Sequence, residues 1–307
     1  MKNYSISQAA DRIYHITLAP PIDGFDNFIT AWVYQDSQTL LVDPGPSVTS
    51  GALLSALADI GCRPDYILLT HIHIDHAGGI GQVSNAFPRV PVICHGKAIG
   101  HLADPAKLWQ GTKQTLGAIA EAYGPIAPVP GGRLADAAGI ATDLVRPLMT
   151  PGHAVHHISY LMADGTLFAG EAGGINIDFG GGLPYMRPAT PPRFYLDVTA
   201  ASVDRLIEAA PRRICYAHAG LRKDAIPLLQ AHRDQLFLWR GIMKDEMTKG
   251  DTEDLVHRCA GRLISEDGLM TGLAHATPAV VRRERFFIEN SVAGFIGYIH
   301  DSRATAR

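Results

Sequence analysis

The stretch Leu68–Gly81, LLTHIHIDHAGGIG, decides how this chain is read. From His71 to His76 it holds three histidines and one aspartate in six residues, and Gly78 and Gly79 follow at once. The residues leading in, DYILLT, form a short apolar run that suits a buried strand. His71 and His73 stand at its exit, where an i, i+2 pair shares one face. Asp75 and His76 fall where the chain must turn, and the two glycines are expected to let the backbone bend sharply beside a crowded site. Imidazole nitrogen and carboxylate oxygen are donors for Zn²⁺, Fe²⁺ or Mn²⁺. Asp75 and His76 are neighbours aimed differently from His71 and His73, so two adjacent ions are a simpler solution than one. Two ions need further ligands from elsewhere in the chain.

Three segments offer them. TPGHAVHHISYL places His153 behind a Pro-Gly turn, LFAGEAGG places Glu171 at a strand end, and ICYAHAG places His218 at another. A single histidine at such a junction is more often a hydrogen-bonded structural residue. Five histidines and two carboxylates in this arrangement point jointly to a metal centre. His156 and His157 alternate on the strand after His153 and are read as supporting or structural, as are His95, His101 and His232.

The flanking sequence supplies a frame. RIYHITL (12–18), FITAWVYQ (28–35) and TLLVDPG (39–45) read as strands, and SGALLSALADIGC as a helix stopped near Gly61. GIGQVSNAF reads as a helix and VPVICHG as a strand. Asp104-Pro105 reads as an N-cap followed by the first helical residue. Trp109, Thr112, Leu116, Ile119 and Tyr123 then make one helical stripe, expected mainly to pack on the core, with a lid over a pocket as the alternative if one end faces a cleft. Strands are expected again over 142–150, 156–163 and 165–170, a helix over 193–210 and a strand in RRICYAHAG. The segment 173–192, rich in glycine and proline, is expected to be irregular, and a loop that long is commonly functional. In it Tyr185 is a candidate donor to a developing oxyanion, and Arg187 a candidate partner for an acidic substrate group. Helices alone are expected after Asp224.

The motif H-x-H-x-D-H, here HIHIDH, closely resembles the signature of the metallo-β-lactamase-fold hydrolases. LLVDPG around Asp43, TPGHAVHHISYL, LFAGEA and CYAHAG resemble that family's other landmarks, in the same order, over residues 12 to 220. The resemblance implies an α+β fold, an αββα sandwich with a binuclear site at one edge. Residues 1–222 would form the metal-binding domain, with a helical insertion near 104–123, and residues 223–307 a helical C-terminal addition. His71, His73 and His153 would hold one ion, and Asp75, His76 and His218 the other. Glu171 would bridge them, and Asp43 would orient the site. Asp75 is also the expected catalytic residue. The family usually has aspartate where this chain has Glu171, and the extra methylene demands more room between the ions.

The implied chemistry is hydrolysis of a thioester, ester or lactone by a hydroxide shared between two divalent ions, zinc first, with iron or manganese as alternatives. The likeness is greatest to the glyoxalase II-like group. The closing IHDSRATAR lacks the basic pattern expected of hydroxyacylglutathione binding, so no particular substrate follows. A di-iron redox enzyme, a phosphodiesterase and a metal-loaded binding module are the rivals.

Composition bounds the rest. The chain has 307 residues, 47% hydrophobic and 19% charged, with a formal net charge of −3. That suits a sizeable core and a small-molecule substrate, and no basic cluster suggests nucleic acid. The N-terminus lacks the apolar run of a secretory signal, and no stretch has the length of a membrane span. Cys62, Cys94, Cys215 and Cys259 are far apart in sequence, as expected of buried thiols in a reducing cytoplasm. The apolar stripes of the C-terminal helices suit a buried core or a homodimer equally.

Overall fold

Alternate side chains along the strands enter two different cores, and this sorting builds the architecture. The computed structural model describes residues 2–140, 142–191, 193–250 and 253–305. Its first sheet runs in sequence order through β1 (Tyr4–Ala10), β2 (Ile13–Leu18), β3 (Ile29–Gln35), β4 (Thr39–Val42), β5 (Tyr66–Leu68), β6 (Val92–Cys94) and β7 (Leu134–Asp136). Pairing is antiparallel from β1 to β4 and parallel from β4 to β7. Parallel neighbours need crossovers. These are α1 (Ser50–Asp59), then α2 (Ile74–Ala77) with α3 (Ile80–Ala86), then α4 (Gly96–Ala103), α5 (Ala106–Leu116) and α6 (Ala118–Tyr123).

The second sheet uses β8 (Val145–Met149), β9 (Ile158–Met162) and β10 (Thr166–Gly170). A separate two-stranded ribbon, β11 (Ile175–Asn176) and β12 (Met186–Arg187), and helix α7 (Leu196–Glu208) come next in the chain. β13 (Arg213–Tyr216) and β14 (Leu221–Arg222) complete the sheet, whose order is β14-β13-β10-β9-β8. Pro147 is tolerated in β8 because that strand lies at the edge. Helices α8 (Ala225–Thr248), α9 (Leu255–Glu266) and α10 (Pro278–Thr305) follow.

Trp32, Tyr34, Leu40, Val42 and Leu68 of the first sheet share one core with Tyr160, Met162, Phe168 and Cys215 of the second. Their sequence neighbours Val33, Leu41, Ile67, Leu167 and Ile214 belong to the other core, with Leu57 of α1, Leu206 of α7 and Trp239 of α8. Two sheets face each other and helices cover their outer sides, an αββα sandwich with further helices at the C-terminal end. Trp32 Nε1 donates to the Tyr216 carbonyl at 2.9 Å, tying the sheets together just before His218. All four cysteines are buried and free. No helix among the described residues is long and apolar enough to cross a membrane.

Two local expectations need correction, and two strands went unanticipated. The stripe over 104–123 is not one helix: Gly117, at φ 53° and ψ −121°, breaks it into α5 and α6. No other residue type adopts that conformation readily. The first of these helices buries no residue, although Leu108, Trp109 and Leu116 pack partly on the core. Segment 173–192 is not wholly irregular, because Ile175 pairs with Arg187 and Asn176 with Met186. β1 and β7 carry too few apolar residues to announce themselves, and their pairing with β2 and β6 supplies what their own sequence lacks.

Candidate metal centre

The side chains singled out from HIHIDH, His153, Glu171 and His218 converge at the end of the sheets. β5 ends at Leu68, and an extended segment carries His71 and His73 out of it. His73 precedes the single turn α2, which turns Asp75 and His76 the other way. The result is two groups. One ligand atom from each of His71, His73, His153 and Glu171 lies within 4.8 Å of the others, and the same holds for Asp75, His76 and His218.

Glu171 lies between the groups. Its Oε2 is 2.6 Å from His153 Nε2 and 3.4 Å from His71 Nε2, while its Oε1 is 3.4 Å from His218 Nε2. Asp75 Oδ2 is 3.5 Å from both His76 Nε2 and His218 Nε2.

The outward nitrogens are tied down, which aims the inward ones. Asp43 Oδ1 accepts from the Thr70 backbone N–H at 2.8 Å, and Oδ2 from Thr70 Oγ1 at 2.6 Å. Oδ2 also lies 3.2 Å from His76 Nδ1. With the Thr70 hydroxyl donating to Asp43, its oxygen is left to accept from His71 Nδ1 at 3.1 Å. His153 Nδ1 donates to the Ala189 carbonyl at 2.9 Å and His218 Nδ1 to the Phe28 carbonyl at 3.0 Å. A ring that donates through Nδ1 keeps a lone pair on Nε2, as a metal ligand requires. The Nε2 atoms of His71 and His76 are buried with no hydrogen-bond partner among the described residues. Orphaned acceptors of this kind are costly, and a cation relieves them. The nitrogen and oxygen donor set therefore fits divalent metal.

Without a cation the electrostatics divide the donor set: His71 and His73 lose affinity for protons, while His76 and His153 gain it, and a bound cation would displace those protons. Burial, reinforced by neighbouring imidazoles, holds His71 and His73 well below the usual histidine range, so both are neutral. Burial also opposes charge on His76, but Asp75, Asp43 and Glu171 outweigh it and push that group up to about 9. Burial works against ionised Glu171, yet His153, His218 and His71 keep it well below the usual carboxylate range.

The glycine pair has a different reason from the one expected. Gly79 has φ −84°, open to any residue. A Cβ there would sit 2.6 Å from Ser50 Oγ and 3.2 Å from the Gly45 carbonyl, so close packing excludes a side chain. Gly170, before Glu171, has φ 58°, and a Cβ there would lie 2.4 Å from His157 Nε2. That nitrogen accepts the Glu171 N–H at 3.0 Å, so His157 positions the backbone of Glu171.

The two loop residues are placed otherwise. Tyr185 is 1% exposed and its hydroxyl donates to Glu284 Oε2 at 2.6 Å, which takes it away from any substrate. Arg187 lines the cleft over the centre, but its Nε donates to the same Glu284 oxygen at 2.5 Å. Sequence reading missed Phe28, whose ring stacks on His218 with centroids 4.0 Å apart. It also missed Arg283 and Glu284 of α10. The Arg283 guanidinium lies 4.0 Å from the Phe28 ring centroid. RRERFF looks like an ordinary charged helix face, and only its burial reveals otherwise. His101 and His156 line the cleft, His95 caps α4, and His232 is buried against Gly174.

Asp43→Asn is expected to weaken metal binding by about 10–100-fold, the usual cost of losing a carboxylate behind a ligating histidine. Isothermal titration of the metal-stripped protein with Zn²⁺ checks it, and unchanged affinity refutes the role.

Residues 24–218 match the family model described as metallo-beta-lactamase superfamily. The metallo-beta-lactamase fold-containing protein ST1585 of Sulfurisphaera tokodaii is 29% identical over 236 residues, covering 72% of this chain and 83% of that protein. A hydroxyacylglutathione hydrolase of Yersinia enterocolitica is 30% identical over 196 residues, 63% of this chain and 62% of that protein. The match thus spans less than two thirds of that enzyme's length. Among solved structures, an archaeal metallo-beta-lactamase superfamily protein, ST1585 from Sulfolobus tokodaii, superposes with a TM-score of 0.68 at 24% identity, covering 93% of this chain and 98% of that one.

Proposed function

Because this chain belongs to the metallo-beta-lactamase superfamily, we propose that it is a hydrolase that holds two divalent cations, zinc first, and cleaves a thioester, ester or lactone. One observation carries the reading: Glu171 directs one oxygen toward His71 and His153 and the other toward His218, so a single carboxylate spans both donor groups. His71, His73 and His153 would hold one cation and Asp75, His76 and His218 the other, with Glu171 within reach of both groups. When bound, such a pair lowers the pKa of water and polarises a carbonyl oxygen.

The protein's own part is positioning and proton handling. Asp75 lines the cleft and orients the attacking water through its carboxylate. The water oxygen bonds to the acyl carbon and the carbon–sulfur or carbon–oxygen bond breaks. One water proton leaves with the thiol or alcohol, and the other goes to solvent from the carboxylic acid. Asp43, His157 and the Phe28 and Ala189 carbonyls keep the donors in register, so little reorganisation accompanies reaction.

Elemental analysis of protein purified without added metal, paired with a panel of esters, thioesters, lactones and phosphodiesters, tests the proposal. The expected result is two equivalents of zinc and turnover of acyl substrates, lost on chelation and restored by Zn²⁺. Redox-active iron with oxygen consumption, turnover of phosphodiesters alone, or metal-loaded protein inert to the whole panel overturns it.

A further inference from the structure

Resting on the hydrolase reading, we infer that the cleft selects its ester or thioester by an apolar acyl chain. The cleft has a volume of about 460 Å³ and opens directly over the candidate ligands. One wall is α5, which contributes Leu108 and Leu116; α10 contributes Phe287, and Phe28 and Tyr123 also line it. α5 buries none of its residues. It nonetheless turns two leucines toward the cleft, where an apolar guest removes them from water. Among the described lining residues the acidic ones are Asp75 and Glu171, both candidate ligands, and the lysine and arginine are Lys107 and Arg187. Arg187 is already bonded to Glu284. Thr112 and Thr115 of α5 and Asn290 and Ser291 of α10 also line the cleft, but among the described lining residues a leaving group with several charges finds only Lys107 as a free countercharge, whereas an alkyl chain finds the leucine and aromatic walls.

The test is a series of acyl esters, acetyl to decanoyl, on p-nitrophenol and on N-acetylcysteamine, with the zinc-loaded full chain. Burying a methylene favours binding enough that kcat/KM is expected to rise up to about fourfold per carbon until the cleft is full. Leu116→Asp flattens that rise. A flat profile in the wild type, with the acetyl ester still cleaved, overturns the chain selection and leaves the hydrolase reading standing. So does preference for a glutathione thioester over the same acyl group on N-acetylcysteamine. Turnover of lactones alone also overturns the chain selection, and no turnover of this series or of lactones overturns the hydrolase reading itself.

A separate observation assigns a catalytic donor. Tyr123 lines the cleft and is 1% exposed, yet its hydroxyl has no hydrogen-bond partner among the described residues. Buried hydroxyls are nearly always satisfied. We propose that the Tyr123 hydroxyl donates to the acyl oxygen as charge develops on it. Tyr123→Phe is then expected to lower kcat by about 10²-fold, with metal content unchanged. Its urea midpoint stays the same or rises, because an unmade hydrogen bond is removed. Unchanged kcat overturns the role. A drop in urea midpoint overturns it too, since that marks a hydroxyl already bonded within the protein.

Discussion

If the protein is the two-cation hydrolase proposed above, Glu171→Gln is expected to lower turnover by at least about 10²-fold and to reduce bound zinc from two equivalents toward one. The substitution keeps the side chain's length and shape. It replaces two anionic oxygens by one carbonyl and one amide NH₂, and the NH₂ cannot face a cation. Glu171 has His153 and His71 on one oxygen and His218 on the other, so one of the two groups must lose an acceptor whichever way the amide lies. The backbone anchor, Glu171 N–H to His157, survives, which separates loss of charge from loss of position. The magnitude is a lower bound, because partners one layer further out already cost 10–100-fold. Elemental analysis and acyl-ester kinetics on one preparation decide it. Full zinc content with wild-type turnover in Glu171→Gln would remove the bridging role. Glu171→Asp, one methylene shorter, retains more activity than glutamine if charge matters more than reach.

The largest stability effect is expected at Glu284. Its carboxylate is 0% exposed and accepts from Tyr185, Arg187 and Arg283. Glu284→Gln leaves two buried guanidinium groups without an anion, and breaking a buried pair costs about 3–5 kcal/mol. Urea unfolding at pH 7 measures it; a loss below about 1 kcal/mol refutes the assignment.

The same group makes stability depend on acid. Burial opposes its ionisation, but Arg187 and Arg283 outweigh that and bring it down to about 2. An unfolded glutamate titrates near about 4.3. The folded value is the lower one, so the unfolded chain binds more protons between the two and folding weakens as pH falls. The stabilisation is fully present above about pH 4.3 and is lost toward pH 2. The difference between wild type and Glu284→Gln should therefore shrink over that window. An equal difference at pH 7 and pH 3 argues that the glutamine variant acts by shape alone.

The reach of the sequence follows from the range of each interaction. HIHIDH announces itself because its donors are neighbours and its spacing repeats nothing a core or a solvated face needs. The strands around it are legible because period-two apolar residues must face a core, and both cores are where that alternation puts them. Tyr185 illustrates the limit. A tyrosine in a glycine-rich loop reads as available, and its partner Glu284 lies 99 residues away on a helix whose burial no local pattern reveals. Phe28 and His218, 190 residues apart, are paired only by the packing of the two sheets.

By itself, then, the chain's sequence determined the local chemistry: which side chains carry donors, and which strongly apolar segments are strands. Those outcomes depend on residues a few positions apart, whose geometry the backbone dictates. Tertiary structure alone decided that Gly79 is required for close approach and not for bending, that Tyr185 is turned to Glu284, and that α10 braces His218 through Arg283 and Phe28. Such contacts are selected by the packing of whole layers, and no periodicity along one segment encodes which distant side chain will fill the space beside it.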